Sequence, residues 1–244
     1  MEELSENGEY LALKKGYADQ LLVQVTGKPG DELSGMNSKE KITAKVINEE
    51  TSEASHEIKL VLKKIFPSMP ADCFGDERID MDPSHRYYEK WRFLKKIGIP
   101  TVSSMRIVDA NVIVMGDMTA DGSEFFGQEK LVKYLGEIDH GIRRKATKEE
   151  EIFLSLEPEK VKAEIERVLS LAWNNNILPP NDEFGDLIVH PDGTYQAPIL
   201  DLVELGHVGN RSREELAELV SRRWARYESI KSWLLTITSK TNEK

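Results

Sequence analysis

Asp186 and Asp201 flank a strand-turn-strand pattern, and two carboxylates placed that way can hold a divalent cation. Within Ile177 to Gly206, Leu187-Ile188-Val189 is a short apolar run and His190-Pro191-Asp192-Gly193 is a turn carrying an Asp-Gly signal. Ala197 to Leu202 is a second apolar run. Asp186 opens the first strand and Asp201 falls at the end of the second. Mg²⁺ takes one or two carboxylates together with substrate phosphates, so the hairpin suits a metal bound with a phosphorylated ligand. Acidic residues at strand ends are also ordinary solvated turn residues. The distinction depends on what else the chain brings to the site.

Composition narrows the classes. The chain has 244 residues, 39% hydrophobic, enough for a substantial core in one large domain or two lobes. Its formal net charge of −10 argues against nucleic acid as a partner and confines anionic ligands to local basic sites. Cys73 is the single cysteine, so an intramolecular disulfide is excluded. The acidic start MEELSENGEY lacks the order of a signal peptide, and no apolar run reaches the length of a membrane span. The expectation is a cytoplasmic protein without a membrane partner. The five histidines show no zinc-ligand spacing with Cys73, and His190 is expected to be solvated in its turn.

The elements that must position the acids divide into two halves. Tyr10–Leu13, Leu21–Thr26, Ile42–Ile47 and Ile58–Phe66 read as strands of an antiparallel meander. In IKLVLKKIF, Ile58, Leu60 and Leu62 fall on one face, and Lys59, Val61 and Lys63 on the other. A helix is expected from Ser84, as N-cap, to Ile97, with Tyr87, Tyr88, Trp91, Phe93 and Leu94 as its apolar stripe and Gly98 and Pro100 closing it. Two short strands follow, Thr101–Val108 and Asn111–Met115. The polar stretch Gly116 to Gly122 marks a domain boundary. Beyond it, helices are expected at Gln128–Gly136, Pro158–Asn174 and Ser212–Thr238, the last as one long helix or a broken pair. Arg222-Arg223-Trp224-Ala225-Arg226 reads as a basic, solvated patch on that helix.

This order resembles the protein-kinase-like superfamily, nearest to its aminoglycoside and choline phosphotransferase branch. Val61-Leu62-Lys63-Lys64 is similar to the strand whose lysine holds nucleotide phosphates, with Lys63 the better match. Glu89 resembles the helix glutamate that pairs with that lysine. Val112 to Met118 resembles the hinge, with Met115 just before the groups that meet adenine and Asp117 among them. Asp186 falls at the family's metal-binding asparagine and Asp201 at its metal-binding aspartate. The resemblance implies an α+β fold of two lobes: a β-rich antiparallel N-lobe with one helix over 1–116, and a reduced, mainly helical C-lobe over 117–244. It also implies ATP and Mg as ligands and a small-molecule or protein acceptor for the phosphoryl group. The chemistry is consistent, since phosphoryl transfer consists largely of positioning and charge neutralisation.

The departures are specific. Counting back from Asp186 in the family's H-x-D-x-x-x-x-N spacing, Pro179 stands at the histidine and Asn181 at the catalytic aspartate. Asparagine cannot act as a carboxylate base. Asp182, one residue on, takes that role only if the loop is shifted. Gly16 stands alone where the family has a glycine-rich loop, and Leu202-Val203 follows Asp201 in place of Phe-Gly. Two further readings therefore stand beside a divergent kinase. One is a pseudokinase that senses nucleotide or binds protein without catalysis, and the other is an unrelated α+β interaction protein.

Overall fold

The computed structural model describes residues 9–15, 19–25, 32–33, 39–47, 54–65, 82–127, 133–134, 136–138, 140, 145–178, 186–200, 202 and 206–239. The chain is α+β and divides into two compact units, Met1–Lys96 with Thr101–Ala120, and Ile97–Pro100 with Asp121–Lys244. The division falls after Ala120, within the polar stretch Gly116 to Gly122, and the four residues after the first helix belong to the second unit.

The first unit is built on one antiparallel sheet. Its strands are β1 (Glu9–Lys15), β2 (Asp19–Val25), β3 (Glu32–Leu33), β4 (Lys39–Ile47), β5 (Ala54–Lys64), β6 (Met105–Asp109) and β7 (Val112–Gly116). The meander expected from sequence is present as β1, β2, β4 and β5, each paired antiparallel with the next. The β6–β7 hairpin then pairs β7 with β5 and, through Lys14 and Ile107, β6 with β1. The sheet therefore closes on itself in the order β1-β2-β4-β5-β7-β6, with β3 added alongside β4. Closure removes edges that would otherwise present unpaired backbone groups. Ile42, Ala44, Leu60 and Val114 form a buried cluster, joined by Ile58, Leu62 and Val108.

The opposite face of β5 meets α1 (Pro83–Lys96), which buries Ser84, Tyr87, Tyr88, Trp91 and Leu94. These recur three or four residues apart, as one helix face requires. Phe93, expected in that stripe, is exposed instead. Trp91 Nε1 donates to the Val102 carbonyl at 2.9 Å and Lys95 Nζ to that of Ser103 at 2.6 Å, so α1 is tied to the segment leading into β6. Those bonds occupy residues expected to begin a strand at Thr101, and the strand starts at Met105. Ser84 is not an N-cap. It lies inside the helix, its N–H donating to the Ala110 carbonyl at 2.9 Å, because Pro83 supplies a preset φ at the first helical position. Gly98, at φ 81°, turns the chain out of the helix in a conformation that carries no steric penalty only for glycine.

The second unit contains β8 (Glu124–Phe126), α2 (Lys148–Ser155), α3 (Pro158–Asn174), β9 (Ile177–Leu178), β10 (Leu187–Val189), β11 (Tyr195–Gln196), β12 (Gly206–His207) and α4 (Arg213–Ser239). α3 has the expected bounds, and α4 is continuous rather than a broken pair. The helix expected at 128–136 lies mostly outside the described residues. α2 begins at a capping box: the Glu150 N–H donates to Thr147 Oγ1 while Glu150 Oε2 accepts from the Thr147 N–H at 2.7 Å. Phe153 on α2 is fully buried between Phe126 and Tyr227, with ring centroids 5.2 and 5.1 Å away. Arg223 is also buried, so the basic run on α4 is not a uniformly solvated face. Its position matches the core spacing of Leu219, Tyr227, Ile230 and Leu234. Among the described residues, no helix is long and apolar enough to cross a membrane.

Phe153 joins three elements of this core through its ring. Phe153→Ala should cost about 3–5 kcal/mol in urea unfolding. Leu235→Ala, at a side chain on a residue 53% exposed, should cost under about 1 kcal/mol in the same experiment.

Candidate functional site

Lys63 is the most unusual residue of the first unit. The lysine is only 3% exposed, whereas Lys64 beside it is exposed, so the register singles out Lys63. Directly opposed residues of neighbouring strands share a face. Lys63 is opposed to Ile113, and Ile113 to Ile107, which forms a row facing away from the Leu60 cluster. One step along the strands, Val61, Met115 and Met105 form a parallel row on the same face. Met115, expected just before the hinge, therefore shares a sheet face with Lys63. The Lys63 ammonium donates to Tyr87 Oη at 2.7 Å and lies 4.5 Å from that ring's centroid.

Glu89 does not take the expected part. Its two carboxylate oxygens accept from Arg92 Nη1 at 3.0 and 3.3 Å on the exposed side of α1. Glu89 follows Tyr87 by two residues, and helix residues two apart do not face the same way. The face toward Lys63 carries Tyr87 and Ser84 instead. The Ser84 hydroxyl is fully buried and has no hydrogen-bond partner among the described residues.

Asp117 is held in a local network. The Thr119 N–H and Oγ1 donate to Asp117 Oδ1 at 2.9 and 2.8 Å, and Lys41 Nζ lies 3.2 Å from Oδ2. Burial pushes the Asp117 pKa up, but the Thr119 and Lys41 hydrogen bonds outweigh it, so the carboxyl titrates below its usual range. The Asp117 N–H donates to the Lys59 carbonyl at 3.2 Å, fastening the segment after β7 to β5. Asp117 thus braces this segment through its side chain and backbone together.

In the second unit the expected hairpin forms between β10 and β11, with Ile188 opposed to Gln196 and Val189 to Tyr195, around a turn in which Gly193 has φ 80°. β10 also pairs with β8, so the strand that follows Asp186 is central in its sheet. Asp186 immediately precedes β10. A Cβ at Gly127 would stand 2.8 Å from the Phe125 ring and 3.7 Å from Asp186 Oδ1, so the close approach of Phe125 favours glycine there. Asn181, Asp182 and Asp201 lie outside the described residues. Among the described residues, no group of three or more histidine, cysteine or acidic side chains is arranged to hold a metal.

His190, expected in solvent, is partly buried. Its Nδ1 lies 2.8 Å from Ser123 Oγ and 3.6 Å from Asp121 Oδ2, and its Nε2 is buried without a partner among the described residues. Hydrogen bonds from the Ser123 hydroxyl and N–H hold the Asp121 carboxyl below its usual range, with His190 adding attraction. Ser123 and Asp121 approach the same ring nitrogen. A nucleophile and base relay needs the two on opposite nitrogens, so this cluster fastens the hairpin turn instead. A surface groove of about 440 Å³ between α3 and α4 contains Lys162, Arg213, Val220 and Trp224 but none of the acids or the lysine singled out from sequence.

No family model matches the chain, and no curated protein matches it significantly.

The Asp117 network has a pH signature. A carboxyl whose folded pKa is depressed contributes stability at pH values above its unfolded pKa, near 3.9. That stability is lost as pH falls through the lower folded value. Melting curves from pH 7 to pH 2 should show Asp117→Asn destabilising by about 1–2 kcal/mol at neutral pH, with the difference from wild type closing only below about pH 4.

Proposed function

We propose that this protein is a divergent, kinase-like nucleotide-binding protein that takes ATP with Mg and transfers the phosphoryl group to a small-molecule or protein acceptor. The observation that carries this reading is the buried Lys63 ammonium on β5. Taking an ammonium out of water costs several kcal/mol, and a lysine at that position serves folding poorly compared with an apolar residue. In the kinase-like reading this lysine is the group that meets the nucleotide phosphates. The order of β5 with its lysine, then α1, then the β6–β7 hairpin ending at Met115 and Gly116, supports the same reading. Asp186 is a hard oxygen donor of the type that suits Mg²⁺. When bound, Mg²⁺ would neutralise phosphate charge. Asp182 is the candidate base, and Asp201 the candidate second metal ligand.

A pseudokinase reading has its own support. Glu89 pairs with Arg92 rather than with Lys63, and Asn181 occupies the position of the base. A protein with these two departures can retain ATP and Mg while sensing nucleotide or presenting a surface to a protein partner.

Calorimetry with ATP and Mg tests binding, and label transfer from γ-labelled ATP to a metabolite or protein pool tests catalysis. Lys63→Ala should weaken ATP binding about tenfold or more, and Asp201→Ala should abolish its Mg dependence. Unchanged Mg dependence in Asp201→Ala removes the metal assignment. Label transfer that disappears in Asp182→Asn supports the kinase, whereas ATP binding with no transfer to any pool favours the pseudokinase.

A further inference from the structure

We propose that the groove between α3 and α4 is a docking site for one amphipathic helix of a partner protein, with acidic residues at the two ends of its contact and a basic residue between them. The groove shares no residue with the nucleotide reading above and stands independently of it. Lys162, Glu166 and Ser170 recur every four residues along α3 and line one wall. Leu216, Val220 and Trp224 recur in the same way along α4 and line the other. Rows four residues apart are the ridges by which helices pack on one another. A polar ridge and an apolar ridge thus run side by side, over about 12 Å from Lys162 to Ser170 at the helical rise. Lys162 Nζ lies 5.6 Å from the Trp224 ring centroid at one end, and Arg213, at the start of α4, lines the other. The valley between two such ridges receives the ridge of a third helix.

The apolar wall is prepared for a partner. Leu219 and Tyr227 turn into the core, whereas Leu216, Val220 and Trp224 are only half-buried, so α4 carries a second apolar row along the groove. The Trp224 ring is stacked on Tyr227 with centroids 5.1 Å apart. An indole held in place before binding loses little freedom on contact, and tryptophan is among the residues that anchor interfaces. The charges define what the partner brings. Lys162 and Glu166 stand one turn apart, the spacing of a helical ion pair. Yet among the described residues neither of them, nor Arg213, has an ion pair. Arg213 also occupies the first position of α4, where the helix dipole favours an acid. The groove therefore presents positive, negative and positive charge in order, and its complement is acidic, basic and acidic. Glu166 in the middle sets the site apart from a surface for nucleic acid, whose phosphates would meet its carboxylate.

The experiment uses the full chain and two labelled synthetic helical peptides of about 18 residues, read by fluorescence anisotropy. Both peptides carry the same leucine face. In the first it is bordered at four-residue steps by Glu, Lys and Glu, and in the second by Lys, Glu and Lys. Wild type should bind the first about tenfold more tightly than the second. The double variant Lys162→Glu, Arg213→Glu should invert that preference, and Trp224→Ala should weaken the first peptide about tenfold or more. The preference is a ratio measured on one protein, so any loss of folded material in the double variant cancels from it. Binding indifferent to charge reversal overturns the proposal, as does a preference that the double variant leaves unchanged or the binding of neither peptide to wild type. Sedimentation should show wild type as a monomer. Self-association that Trp224→Ala removes overturns the partner protein in favour of a second copy of this chain.

Discussion

The register of β5 between β4 and β7 is the constraint on which the first unit depends. Side chains alternate across a strand, so a slip of one residue would exchange every side chain between the two faces. In the register adopted, Ile58, Leu60 and Leu62 join Ile42, Ala44 and Val114 in one cluster, and Val61 and Lys63 face the other way. The opposite register would send two lysines, Lys59 and Lys63, into the apolar cluster. That cost, several kcal/mol for each unpaired buried charge, is what holds the strand in place. Cross-strand pairing on both sides, along with sheet closure through β1 and β6, leaves β5 no free edge along which to slide.

Once the register is set, α1 must accommodate Lys63. An apolar helix face would offer the ammonium no hydrogen-bond acceptor from α1. Tyr87 resolves this by combining a large packing surface with an oxygen at its tip. The same helix spends its exposed side on the Glu89–Arg92 pair, with both side chains substantially in solvent, where such pairs contribute little to stability. The two polar interactions of α1 therefore differ in kind. One satisfies a buried charge, and the other decorates a surface.

The second unit treats its polar groups differently. Asp121, Ser123 and His190 form a compact network that ties the residues before β8 to the β10–β11 turn. Thr194 folds that turn onto Asp192 with bonds of 2.9 and 2.7 Å. These contacts hold the hairpin carrying Asp186 from its far end and leave the carboxylate of Asp186 at the other. Behind it, Phe126, Phe153 and Tyr227 pack in sequence, and Lys231 donates to the Leu156 carbonyl at 2.7 Å, closing the end of α2. The position of the acid is thus backed by a β-strand, a capped short helix and a long one.

The sequence by itself determined the elements whose periodicity is long and uniform. α3 was legible to the residue because Val161, Ile165, Val168, Leu169 and Ala172 recur at helical spacing behind a proline start. The strands of the meander were legible from their alternation, and the α+β class followed from them. That alternation also separated Lys63 from Leu62, although two adjacent lysines leave the choice between them to the partner strands. Only the tertiary structure decided what lies opposite each side chain. Glu89 has the right residue type in the right element, yet its helical phase turns it to solvent, and phase relative to a strand is not written in local sequence. The sheet's closure and the burial of His190 and Arg223 depend likewise on contacts between residues far apart in the chain. Short local signals such as the Thr147–Glu150 capping box were present in the sequence and could have been read. The ligand of Lys63 is a matter of three-dimensional juxtaposition, because a hydrogen bond of 2.7 Å between residues 24 apart requires a sheet and a helix to be packed first.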